Sequence, residues 1–535
     1  MLESPKFASD IFWNADADLK RQARLTHFMR TLGIGGAPEA AYAQLVARAD
    51  ADPGWFWDAC IGYFGLRFSR PYSKVCEPAF GMPWTVWCLD GETNLALNCL
   101  TRHRDTPVWR KHALVWEGED GSRRSYTYAE LDAEVGRVAA GLEALRIGPG
   151  EVVALYMPAI PEWAIGFFAV LAVGAVVLPV PADVDAARLG ALLRDSGAVA
   201  MLMADGGSSG GVPRDFRATL AAALVAAPAL KRVVTVRHLG YERTGRSMRD
   251  RWWHRVRKPA RRDFLPRVVP ADTPALVYYA PAATNSARLR GTVHTHCGFM
   301  TKMALDFGLC LDWRTEDRVL WMSDPGSLAG PMQLVAATLL GATLILAEGE
   351  PHAPDGARLW RLLQEHHVTV LGASPASLWA ATRAGGYGIE RYDLRALRLV
   401  VAAGEDWRPE AWHWTFEHVC RRRVPILGCS GAPDLGGGVL TDTLLHPLKP
   451  CAFSAAVPGS GVDLVDEACS SIRGAGRGTL VMRRSSIGMT RGLWNDPARY
   501  FESYWSRRPD LWWHGASAAR DEDGYWFLTG PPSGA

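Results

Sequence analysis

The chain has 535 residues, 48% of them hydrophobic and 21% charged, and a formal net charge of +3. That length exceeds one ordinary domain and is enough to bury several cores. The near-balanced charge gives no general attraction to nucleic acid or to an acidic surface, and the ten cysteines stand singly, without Cys-x-x-Cys or zinc-like spacing, which fits reduced thiols in a cytoplasmic protein without a metal centre.

Met1-Leu2-Glu3-Ser4-Pro5 does not open a signal peptide, because no basic start leads into an apolar run. Residues 1–100 read as a leader punctuated by Trp and Pro that packs on the core. From Ala113 the pattern sharpens. Residues 113–116 and 125–127 read as a hairpin across Gly118-Glu119-Asp120-Gly121. Thr127-Tyr128-Ala129-Glu130 is a capping box, in which the Thr oxygen and the Glu carboxylate each satisfy a free amide. Leu131, Val135, Val138, Leu142 and Leu145 then share one helical face.

Strand and helix alternate from there: strand 152–156, helix 161–173, strand 175–180, helix 185–195, strand 199–203. Gly206-Gly207-Ser208-Ser209-Gly210-Gly211 reads as a flexible loop. Further strands follow at 275–278, 342–346, 368–371 and 397–401. This rhythm predicts an α/β fold with doubly wound parallel-sheet lobes, and the hairpin-rich end predicts a smaller β-rich lobe. The apolar run 164–182 is long enough to cross a bilayer. Gly174 and the closing prolines favour a buried helix, a turn and a buried strand, so no membrane span is expected. The basic stretch 246–262 contains Trp252 and Trp253; a solvated loop with inward tryptophans is favoured over a nucleic-acid site.

Three stretches carry a resemblance. Asn98-Cys99-Leu100-Thr101-Arg102-His103, Gly291-Thr292-Val293-His294-Thr295-His296, and Gly488-Met489-Thr490-Arg491-Gly492-Leu493-Trp494 together resemble the adenylate-forming (AMP-binding) acyl-CoA synthetases, above all the acetyl- and propionyl-CoA synthetase group. The resemblance implies the large domain of that fold over residues 101–530, followed by a truncated hinge tail at 531–535 where the family continues into a cap domain with a catalytic lysine. It also implies a reaction in two halves: carboxylate attack on ATP to give an acyl-adenylate, then displacement of AMP by CoA.

Several implied nucleotide positions are altered. The phosphate loop runs Ala280-Pro281-Ala282-Ala283-Thr284-Asn285-Ser286-Ala287-Arg288-Leu289-Arg290, with no glycine before Gly291. Pro281 removes an amide donor, while Arg288 and Arg290 keep positive charge. Cys429-Ser430-Gly431-Ala432-Pro433-Asp434 stands where the family has Tyr-Ser-Gly-Gly-Thr-Glu, so Pro433 replaces the phosphate-binding threonine and Asp434 the magnesium-binding glutamate. Ala516 falls at the ribose aspartate, whereas Gly404-Glu405 of the adenine-side turn is kept. These changes argue against ATP and magnesium as cofactors.

The resulting expectation is an acyl-CoA synthetase-like protein without adenylation. It keeps an acyl ligand, CoA or an acyl thioester in a crevice formed by His294, Ser327, Gly404, Glu405, Cys429, Ser430 and Gly431, with His294 and Asp434 as candidate catalytic groups. ATP-independent acyl transfer is compatible with that pocket. Two alternatives stand beside it: an active synthetase completed by a separate cap domain, and a pseudoenzyme that regulates or scaffolds a partner. A protein partner or self-association at the cap-docking face is expected. Cys297, next to His296, is a weak nucleophile candidate.

Overall fold

The computed structural model describes residues 10–209, 212–241, 249–257, 264–280 and 289–532. Among them, three sheets dominate. The first runs in the order Asp250–Trp252, Arg232–Val236, Ala200–Ala204, Val152–Tyr156, Val176–Pro179, Pro274–Tyr279, Gly291–Thr295; all neighbours are parallel except the last pair. The second has a parallel centre, Ile426–Ala432, Leu399–Ala403, Val370–Ala373, Arg318–Trp321, Thr343–Ala347 and His112–Glu117, with antiparallel strands at both edges. The third is a four-stranded antiparallel meander from Val462–Val465 to Trp526–Pro532. These are the two wound lobes and the smaller β-rich lobe that the sequence predicts.

Local signals set the element ends. Thr127 and Glu130 form both halves of the capping box at the start of Tyr128–Ala144. Asp185 accepts the amide of Arg188, and Gly197, at φ 66°, closes Ala186–Ser196 in the left-handed region that a Cβ disfavours. The apolar run 164–182 resolves into the buried helix Pro161–Ala172, a turn at Gly174 (φ 78°), and the strand Val176–Pro179, buried along its whole length. No helix among the described residues is long and apolar enough to cross a membrane.

Gly206–Ser209 is a strand, paired antiparallel with Val212–Asp215, where a flexible loop was expected. The reason is tertiary. Without a Cβ, Gly206 lies against the Tyr241 ring and Gly207 against Phe216 and Pro158, so packing overrides the weak strand propensity of glycine. The basic stretch 246–262 falls partly outside the described residues; within it, Trp253 packs against the core, near Gly166.

Polar links join the first two lobes. The Trp116 indole donates to the Ala159 carbonyl at 2.8 Å, and Arg124 forms a two-pronged pair with Glu162 at 2.6 and 3.0 Å. His238 Nε2 meets Glu348 Oε1 at 2.7 Å. Burial opposes charge on His238, but the hydrogen bond and charge of Glu348 outweigh it, and the pKa is raised above 6.5. This link therefore stabilises most below pH 6.5 and fades as the pH rises through the raised pKa. His238→Gln is expected to flatten that part of the stability profile, measured as urea midpoints from about pH 5.5 to 8.5.

The N-terminal segment closes on the second lobe. Trp13 forms a bridge with Leu448, its amide partner at 2.8 Å, and Phe12 packs edge-on against Trp412 at 5.7 Å.

Candidate functional site

Parallel strands aim their carboxyl ends at a common crevice, and side chains at those ends are the ones a ligand meets. In the second sheet, the ends of Leu399–Ala403 and Ile426–Ala432 open onto a cavity of about 510 Å3. The third sheet closes it from the other side through His514, Ala516, Phe527 and Leu528. Of the sequence-predicted residues, Gly404, Glu405, Cys429, Ser430, Gly431, Pro433 and Ala516 all line this space. Gly404 sits at φ 100°, a conformation that favours glycine.

Four aromatic residues form much of the wall: Trp407, Trp412, Phe453 and Phe527. Three carboxylates also line it. Glu405 and Asp406 are exposed at the mouth, and Asp442 is buried. Asp442 accepts the amides of Gly428 and Ser454, each at 2.8 Å; burial nevertheless raises its pKa to about 7. His514 is held neutral, its pKa pushed down to about 4 by burial. Burial lifts the Cys429 thiol to about 12, so it is no thiolate near neutral pH. Cys451 is lifted to about 12 as well. No lysine or arginine is among the described lining residues.

The other predicted site residues lie outside this cavity. His294 is 2% exposed on the strand Gly291–Thr295 and packs under the turn at Gly436. Neither of its ring nitrogens makes a well-formed hydrogen bond, and burial lowers its pKa to about 4. It is a neutral group wedged between two segments and is not among the residues lining the cavity. Ser327 spends its hydroxyl on the Asp324 carbonyl at 2.7 Å, within the turn where Gly326 abuts the backbone of Val180 and Pro181. Cys297 is the second residue of the helix His296–Met303, not part of a strand, and burial holds its thiol well above the usual range.

Asp434 and Arg290 answer each other. Their charged atoms lie 3.6 Å apart, and Tyr504 accepts a hydrogen-bond contact from the Arg290 guanidinium. Burial raises the Asp434 pKa, and Arg290 counteracts that rise. The charge of Arg290 is thus countered by the carboxylate at the implied magnesium position. Pro281 and Arg288 lie outside the described residues.

A buried pair sits behind Cys429. Lys302 and Asp306 are each 1% exposed and bonded to each other; Lys302 Nζ also donates to the Gly438 carbonyl at 2.7 Å, and Asp306 accepts the Gly438 amide at 2.8 Å. Sequence reasoning passed over this pair, although its i, i+4 spacing beside the Gly291–His296 motif was visible. It also passed over Asp442, Cys451, Phe453 and Phe527, which no motif marks.

Comparison with known proteins bears on this arrangement. A family model described as AMP-binding enzyme matches residues 101–494, and one described as acetyl-coenzyme A synthetase N-terminus matches residues 42–99. The chain belongs to the AMP-binding enzyme family. Acetyl-coenzyme A synthetases are among its relatives: that of Chlorobaculum tepidum is 31% identical over 493 residues, covering 91% of this chain and 74% of the relative, and that of Rubrobacter xylanophilus is 32% identical over 505 residues, covering 91% and 77%. The solved acetoacetyl-CoA synthetase from Streptomyces lividans superposes with a TM-score of 0.89 at 27% identity, covering 98% of this chain and 80% of that one.

Proposed function

We propose that this protein is an acyl-CoA synthetase-like binding protein that does not form adenylates and that holds an acyl ligand or acyl thioester in the crevice described above. The observation that carries the reading is the electrostatics of that crevice. Adenylation concentrates negative charge on phosphate oxygens, and it is driven by donors and cations fixed around them. Here the described lining offers the carboxylates of Glu405 and Asp406, an Asp442 carboxyl raised to about 7, a neutral histidine and no lysine or arginine. Pro433 supplies no hydroxyl, Ala516 supplies no carboxylate for ribose, and Arg290 is occupied by Asp434 and Tyr504. Removing one such donor commonly costs about 2.7–4 kcal/mol in the transition state, so losses at several positions leave little rate.

The opposing reading, an active AMP-forming synthetase, draws on the 31% and 32% identity to acetyl-coenzyme A synthetases. One assay separates the two. Purified protein is given magnesium-ATP, CoA and acetate, propionate or acetoacetate, and pyrophosphate is followed. No release above the protein-free rate is expected, and magnesium-ATP should bind more weakly than about 1 mM by calorimetry. Pyrophosphate release with any of the three acids, or low-micromolar ATP binding, would overturn the proposal. Ala516→Asp alone is expected to leave both results unchanged, because the phosphate end of the site is untouched by it.

A further inference from the structure

Asp442 lines the crevice from within, 5% exposed, whereas Glu405 and Asp406 face solvent at its mouth. Each Asp442 oxygen accepts one backbone amide, Oδ2 from Gly428 and Oδ1 from Ser454. No lysine or arginine is among the described lining residues, so burial outweighs the two amides and its pKa stands at about 7. Gly428 keeps the carboxyl beside the aromatic wall: a Cβ there would lie 3.1 Å from Asp442 Oδ2 and 3.0 Å from the Phe453 ring. The buried groups around it hold one state between about pH 5.5 and 8.5. Burial keeps His514 neutral, at about 4, and lifts the thiols of Cys429 and Cys451 and the phenol of Tyr525 to about 12. Lys449, over the Tyr525 ring, is spent on Asp521 and Asp523.

We propose that Asp442, in its protonated form, donates a hydrogen bond to the carbonyl oxygen of the acyl ligand and so makes occupancy of the crevice depend on pH. The inference rests on the reading that the crevice holds an acyl ligand or thioester, and it names the group that grips the carbonyl. An acyl oxygen can only accept, and a carboxyl kept neutral by its surroundings has a hydrogen to give. The ionised carboxylate has none and repels the carbonyl oxygen. The sign follows from the raised pKa: binding is full below about pH 7 and is lost as the pH rises through that value. Above it, each ligand that binds must draw a proton onto Asp442.

The test compares S-ethyl thiobenzoate, whose ring suits the aromatic wall, with benzyl ethyl sulfide, which has a methylene in place of the carbonyl. Binding to the full chain is followed by tryptophan fluorescence and calorimetry from about pH 5.5 to 8.5. At the acid end the thioester should bind at least about fivefold tighter than the sulfide. At the alkaline end that preference should be gone, while the sulfide stays level. At about pH 7.5, calorimetry in buffers of different ionisation enthalpy should show uptake of more than about half a proton per thioester bound, and none for the sulfide. Asp442→Asn should bind the thioester equally at both ends, because an amide donates in either. Asp50→Asn removes a carboxyl that burial raises to about 6 outside the crevice, and should leave the profile unchanged. The proposal is overturned if the preference persists at about pH 8.5, if the wild type takes up no proton, or if Asp442→Asn keeps the pH dependence. Pyrophosphate release in the earlier assay, or a thioester that fails to bind at about 1 mM, overturns both readings. A thioester that binds equally well across the whole range overturns this one alone.

Discussion

Lys302→Ala is expected to destabilise the protein by about 3–5 kcal/mol, the usual cost of stranding one partner of a buried ion pair. Both Lys302 and Asp306 are 1% exposed, and together they bind both the amide and the carbonyl of Gly438. Without the lysine, the Asp306 carboxylate keeps its backbone donor but faces an apolar interior formed by its neighbours. Burial already raises the Asp306 pKa. Removing the ammonium should raise it further and drive the group toward its neutral form. The Lys302→Met/Asp306→Asn double variant should recover a substantial part of the loss, since no unpaired charge is left and an amide can still accept from Gly438. Urea midpoints of the wild type, both single variants and the double variant give the coupling. A Lys302→Ala protein within about 1 kcal/mol of wild type would show that the pair does not hold this part of the fold.

Gly431→Ala should disorganise the cavity while most of the fold survives. A Cβ at Gly431 would overlap the carbonyl oxygen of Gly437 on the neighbouring strand, at a point where the pairing of Ile426–Ala432 with Gly437–Thr441 already shifts register. Backbone cannot yield there as a flexible side chain could. The strand pair must part, which would displace Ser430, Ala432 and Pro433, all of them lining residues. A loss of about 1–3 kcal/mol is expected from overpacking, together with loss of ligand binding at the crevice and retained helical circular dichroism. Unchanged binding by Gly431→Ala would place the ligand elsewhere.

The parts of this fold that were legible in sequence are those fixed by short-range chemistry. The Thr127–Glu130 box and the turn at Gly174 each depend on residues a few positions apart, and both stand as read. Strand 206–209 was not legible, because Tyr241, Phe216 and Pro158 decide it from other segments. The site divides in the same way. Gly404, Cys429, Gly431, Pro433 and Ala516 reach one cavity because a family pattern placed them. His294 belongs to the same pattern, yet strand alternation cannot reveal that the Pro433–Leu435 turn covers the face it occupies. The meeting of Arg290 with Asp434 and Tyr504 joins three distant segments and carries no sequence signal at all.

The bridge between Trp13 and Leu448 sets an order of events in synthesis. The segment around Trp13 must wait until the segment around Leu448 has been made before it finds its place. At about 5–20 residues per second that interval is on the order of tens of seconds. Throughout it, Phe12 and Trp13 remain outside their final packing, and the Trp412 side of the cavity lacks its outer cover. The second lobe therefore emerges with an unfinished edge near Leu448, which the earlier-made segment around Phe12 and Trp13 completes. A polypeptide made from residue 20 onward would carry that edge permanently, and its expected failure is aggregation during production rather than loss of a contact in the crevice.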